Sequence, residues 1–237
     1  MPSSSVTAHG TLRAGILVGV CVCIVTVVYS LCWYPGILSF PGTPGFLAVF
    51  LAGVTFYAYA GVRWTRITTR DDLLVLRRGA QWGVAIGLAW TVEVIGGNLI
   101  LPHSLGARIG IVAAAVAAIL PVVAGAHGAA ATGRLNTGAR IGFWSGVVSG
   151  LITFAALAAV GFVVVHVPGF PGLETPHNAT MALTAEELAA FNIGDYLAGG
   201  VSHLVLIGAP FCTAAGFVGG LLMRDSNRIS SQVSDHP

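Results

Sequence analysis

Charge is what this sequence has least of. Asp, Glu, Lys and Arg together make up 8% of its 237 residues, about a third of the roughly 25% with which a soluble domain wets its surface. With 55% hydrophobic residues and a mean hydropathy of +0.85, the chain cannot cover a water-facing surface, so lipid must stand where water would. Lysine is absent, and all 11 cationic side chains are Arg, a usage that fits a GC-rich bacterial genome. The net charge of +2 gives no basic footprint for nucleic acid, and no nucleic-acid partner is expected. Cysteine is also sparse: Cys21, Cys23, Cys32 and Cys212 all lie inside apolar runs. None forms C-x-x-C, and on a helix Cys21 and Cys23 point about 200° apart, so they read as small packing residues rather than as a disulfide or metal site. No Walker pattern and no Gly-rich loop after a strand is present, and no cofactor is expected.

What the chain does have is long apolar runs. Six reach the roughly 20 helical residues needed to cross a bilayer core of about 30 Å: approximately 14–33, 45–62, 80–101, 109–126, 141–165 and 196–223. Within them the only formally charged side chain is Glu93. Helix is the required conformation, since backbone groups in hydrocarbon must find partners within the segment, and the apolar/polar alternation of a strand barrel is missing. The fold expected is therefore an all-α, polytopic bundle of about six transmembrane helices forming a single membrane domain over 1–237. Placing the N-terminus inside puts Arg13, Arg63, Arg66, Arg70, Arg77, Arg78, Arg134, Arg140, Arg224 and Arg228 on the cytoplasmic side and leaves only Arg108 outside. Both termini are thus expected inside a bacterial cytoplasmic (inner) membrane. The first run is too long for a signal-peptide core, and no small-x-small site follows it, so it reads as a span.

Glycine is plentiful, 32 residues, or about 14% against a usual 7%. In lipid, Gly at every fourth position lets helix backbones approach closely. Gly142, Gly146 and Gly150 form one such stripe, and Cys212, Gly216 and Gly220 form another on the last span. Both are expected at helix–helix contacts. The three outward-going spans each begin near Arg and Gly, and the three returning ones carry Ala-Gly near their ends, a pattern compatible with three related hairpins. Pro121 and Pro210 fall inside the fourth and sixth spans and should kink them. Thr69-Arg-Asp-Asp72 reads as a capped turn leading into the third span. The long outer connection, 167–194, carries a second capping box, Thr184-Ala-Glu-Glu187, read as the start of a short amphipathic helix on the outer membrane surface. Asn178-Ala-Thr180 matches a glycosylation acceptor that has no meaning in a bacterium.

Candidate chemistry is thin. A carboxylate at membrane depth costs about 2.5–3.5 kcal/mol on insertion scales, so Glu93 should face the bundle or a wet cavity. Counting the helical rise places His203 at a similar level, with Asn98, Thr91 and Ser202 near. This set reads either as a proton or cation site or as a polar pair that joins helices. His103, His166, His177 and His203 lie toward the outer side and His127 toward the inner, without ligand spacing, so no metal or haem is expected. Ser145 or Ser149 with His203 is a faint pattern for an intramembrane serine hydrolase. The leading expectation is a non-catalytic membrane subunit or accessory protein. Its partners would be the lipid bilayer, other membrane subunits or further copies of itself, held by helix packing, with Arg-rich inner loops on anionic head groups. The alternative is a small transporter or channel using Glu93 and His203, and an intramembrane hydrolase comes third.

Overall fold

The computed structural model describes residues 3–66, 69–100, 103–167 and 183–234, with side chains over 10–66, 69–100, 104–167 and 183–224. The chain forms helices α1 (Ser3–Trp33), α2 (Thr43–Arg63), α3 (Arg70–Leu99), α4 (His103–Thr132), α5 (Leu135–His166), α6 (Ala185–Ser202) and α7 (Cys212–Ser234). A 3-10 turn at Pro35–Ser39 joins α1 to α2, and a π-helical segment, His203–Phe211, joins α6 to α7. Among the described residues there is no strand, and six helical stretches are long and apolar enough to cross a membrane. The protein is an all-α, multi-pass membrane bundle.

Each helix outruns its apolar core. α3 starts at Arg70 and α5 at Leu135, well before the runs that mark them as spans, because helix ends that leave the hydrocarbon are satisfied by water and by caps. The last span differs most. Residues 185–194, expected as a separate amphipathic helix, are the first turns of one path, Ala185–Arg224. The Thr184 box is present, with the Thr184 hydroxyl accepting from the Glu187 N–H and the Glu187 carboxylate accepting from the Thr184 N–H. It caps the membrane helix itself. No Pro stands between Leu188 and Tyr196, and the one Gly, Gly194, is accommodated, so the α-helical hydrogen-bond ladder continues. The expected glycosylation acceptor, 178–180, lies outside the described residues.

α5 is the axis of the bundle. In it, 61% of the membrane-crossing window is buried, against 28–44% in the other five stretches. Glycine decides what can reach it. α3 lies along one side in parallel register: a Cβ on Gly83 would meet Ser145 and Val148, and one on Gly87 would sit 2.9 Å from Ile152 Cβ. The returning helix lies along the other side in antiparallel register. Gly142 faces the Cys212 backbone, Gly146 faces Gly208 and Ala209, and Gly150 faces Leu204. Gly216 in turn sits against Gly138 and Gly142, whereas Gly220 is looser, 3.3 Å from the Leu135 carbonyl. α4 joins through Gly125, which meets Gly216, and Gly138 would bring a Cβ within 2.8 Å of carbonyls from both. With no side chains between them, the backbones gain dispersion contacts that lipid tails, which cannot fit so closely, do not offer. α4 itself runs through Pro121 as one helix.

One end of the bundle gathers the arginines, and two of them are engaged within the chain. Arg140, in the first turns of α5, binds Asp72, and Arg134 binds Asp71 at 3.0 Å. Asp72 is also the reciprocal cap of α3, accepting from the Thr69 N–H at 2.9 Å while its own N–H donates to the Thr69 hydroxyl. The Thr69 hydroxyl donates to the same carboxylate at 2.9 Å, so Asp72, 13% exposed, has three donors and holds the starts of α3 and α5 together. Asp71, 41% exposed beside an Arg134 that is 69% exposed, is an ordinary surface pair.

Two expectations follow. Asp72→Ala should cost roughly 1–3 kcal/mol, because the buried carboxylate that accepts from Thr69 and Arg140 is lost, whereas Asp71→Ala, with the same change of charge, should cost about 0–1 kcal/mol; thermal denaturation in detergent reads the difference. Gly146→Leu should lower the denaturation midpoint by roughly 2–12 °C, since about 1–3 kcal/mol of overpacking is unavoidable where the neighbour is backbone. Gly97→Leu, whose Cβ meets nothing within 4 Å, should leave it unchanged.

Candidate functional site

The most unusual local structure is the break in the last span. Pro210 has no N–H to donate, and its ring excludes the carbonyl one turn earlier. Gly208 adopts φ −61°, ψ −107°, outside the helical region, within the π-helical stretch His203–Phe211. Such a break frees backbone groups that hydrocarbon cannot satisfy. Tyr57 of α2 supplies the remedy. Its hydroxyl donates to the Leu204 carbonyl at 2.5 Å and accepts the Ala209 N–H at 3.2 Å. The ring enters because two positions beside it lack side chains: a Cβ on Gly150 would lie 3.1 Å from the Tyr57 oxygen, and one on Gly208 would lie 2.6 Å from it. Tyr57 is 2% exposed, so the hydroxyl belongs wholly to the break.

Glu93, His203 and Asn98 occur at neighbouring levels, but each has a different neighbour. His203 donates from Nδ1 to the Gly199 carbonyl at 3.1 Å, and its ring meets Trp90 edge-on with centroids 4.9 Å apart. Its Nε2 is buried without a hydrogen-bond partner. Glu93, three residues beyond Trp90, is turned toward α4, with its Cγ 4.0 Å from where a Gly110 Cβ would stand. Among the described residues no hydrogen bond or ion pair joins Glu93 to His203; the Trp90 indole occupies the place beside the imidazole. Asn98 pairs instead with α6, its side-chain oxygen accepting from the Tyr196 hydroxyl at 2.8 Å while its amide donates to the Val94 carbonyl.

The remaining candidates are turned into their own helices. Thr91 donates to the Gly87 carbonyl, Ser202 to Ala198, Ser145 to Gly142 and Ser149 to Gly146. Neither Ser145 nor Ser149 bonds His203 among the described residues. His166 donates from Nδ1 to the Phe162 carbonyl and accepts at Nε2 from the Tyr34 hydroxyl at 3.3 Å; burial pushes the Tyr34 phenol above its ordinary value. His127 packs beside Trp82, ring centroids 5.7 Å apart, at a cavity of about 190 Å³ near Arg78. His177 and the His103 side chain lie outside the described residues. Among those described, no three His, Cys, Asp or Glu side chains converge as metal ligands would.

No family model, no curated protein and no solved structure matches the chain.

Sequence reasoning passed over Tyr57. The signal was present in principle: Pro210 after Gly208-Ala209 breaks the hydrogen-bond ladder of a membrane helix, and something must satisfy the groups set free. Hydropathy gives no azimuth, however, so Tyr57 and Tyr59 look alike in sequence, while one is buried and the other is 55% exposed. Tyr57→Phe should cost about 1–3 kcal/mol, the penalty of leaving a buried carbonyl and N–H unpaired. Tyr59→Phe should be neutral in the same detergent melt.

Proposed function

We propose that this protein is a non-catalytic membrane subunit or accessory protein that acts through lateral packing in a bacterial cytoplasmic membrane, both termini in the cytosol. One observation carries the reading: polar side chains at membrane depth are used to hold the bundle together. Tyr57 closes the break, Asn98 ties α3 to α6, and Thr91, Ser145 and Ser149 donate to the carbonyls of Gly87, Gly142 and Gly146 in their own helices. A transport path or a reaction centre needs such groups to converge on a shared space, as ligands and proton relays do. Ten arginines on one side agree with the positive-inside rule for the orientation. Further support comes from α1, whose Val18, Val25, Val28 and Trp33 are 53–66% exposed, an apolar face open to lipid or to another helix.

A second reading rests on the orphaned His203 Nε2 beside Trp90, one turn from Glu93. In it a proton or small cation passes at that level. Flux across liposomes separates the two. The accessory reading expects wild type and Glu93→Gln to match empty vesicles, and a Glu93-dependent flux above that level would overturn it. Blue-native electrophoresis of the protein in mild detergent gives the positive check, a reproducible assembly larger than one chain with fixed stoichiometry. A monodisperse single chain would count against it.

A further inference from the structure

The bundle opens sideways between α1 and α3, over α5, into a groove of about 640 Å³. Its α1 wall runs from Thr11 to Val22, its α3 wall from Leu73 to Val84, and its floor from Val148 to Ala155. The groove exists because α1 is held from other sides. Gly19 admits Leu151 of α5, and Ile16 packs where Gly61 of α2 leaves room; neither contact draws α1 onto α3. The α1 and α3 walls start near the arginine-rich end and the floor is the middle of α5, so the groove runs from that end to about mid-bundle.

Its dimensions select an occupant. At about 1.5 Å per residue the α1 wall is about 16 Å long, the depth of one leaflet of a core about 30 Å thick. A groove of that depth, apolar along its length and open on its lipid side, accommodates an extended hydrocarbon chain lying along it.

The chemistry selects further. The lining is apolar or glycine except at Thr11, Arg77 and Gln81. Arg77 is exposed and makes no hydrogen bond or ion pair among the described residues. The acids that begin its own helix, Asp71 and Asp72, are already bound by Arg134 and Arg140, and Arg78 belongs to a different cavity. We propose that this groove holds one acyl chain of an anionic phospholipid from the leaflet at the arginine-rich end, with the lipid phosphate on the Arg77 guanidinium and the Gln81 amide. A guanidinium offers paired N–H donors to phosphate oxygens, and the Arg stem lies along hydrocarbon while its head reaches the interface. This site is independent of whether the protein is an accessory subunit or a transporter.

The test is native mass spectrometry of the full chain, purified in neutral detergent and titrated with phosphatidylglycerol or with phosphatidylcholine of the same acyl chains. Wild type should keep one phosphatidylglycerol per chain where phosphatidylcholine is lost. Arg77→Gln should weaken that retention about five-fold, the contribution expected of one Arg near an anionic lipid. Arg78→Gln, the same charge change outside the groove, should behave as wild type. Gly15→Phe should exclude both lipids, since its side chain enters groove space with nothing within 4 Å of the Cβ. Should Gly15→Phe fail to fold, the two Arg variants decide. Equal retention of both lipids by wild type, or equal losses in Arg77→Gln and Arg78→Gln, would overturn the proposal.

Discussion

In hydrocarbon a backbone N–H or C=O without a partner costs several kcal/mol, and no water is present to take its place. That one constraint orders the whole bundle. It makes every span a helix, and it sends the hydroxyls of Thr91, Ser145 and Ser149 back to carbonyls of their own turns. It also makes the break at Gly208–Pro210 possible only where another helix can lend a donor and an acceptor. Tyr57 does both with one oxygen. The break in turn fixes α2 against the last span, so a local defect becomes a tertiary contact.

The second constraint is that lipid gives no hydrophobic drive for helices to meet. α5 attracts its neighbours by removing side chains from the contact, with Gly142, Gly146 and Gly150 on one side and α3's Gly83 and Gly87 received on another. Where α1 has no such contact with α3, the walls stay apart and the groove remains. Close packing and the lipid-facing groove therefore differ in whether a neighbour's atoms meet the glycine: backbone fills the place beside Gly142 and Gly146, and nothing fills the place beside Gly15. The ion pairs of Asp71 and Asp72 add a clasp at the arginine-rich end, and by occupying those acids they leave Arg77 available.

Much of this was legible along the chain. The spans, the capping boxes at Thr69 and Thr184 and the weakness at Pro210 all follow from local spacing and composition. The joining of the second box to the last span was missed because the segment from Leu188 to Tyr196 is mildly apolar, and hydropathy windows end before backbone hydrogen bonding does. Glu93 and His203 were placed at one level by helical rise. Rise fixes depth and leaves azimuth open, and Trp90 decides the matter by filling the space beside the imidazole.

The amino-acid order alone thus determined the solvent, the number of crossings and the residues on which helices can approach, because charge, length and Gly spacing are one-dimensional properties. Only the folded arrangement decided that Gly142 meets Cys212, that Tyr57 rather than Tyr59 seals the break, and that a groove opens between α1 and α3 over α5. Those are rotations of one cylinder against another. Their energies come from atoms far apart in the chain, such as Tyr57 and Ala209, brought within contact only when the bundle closes.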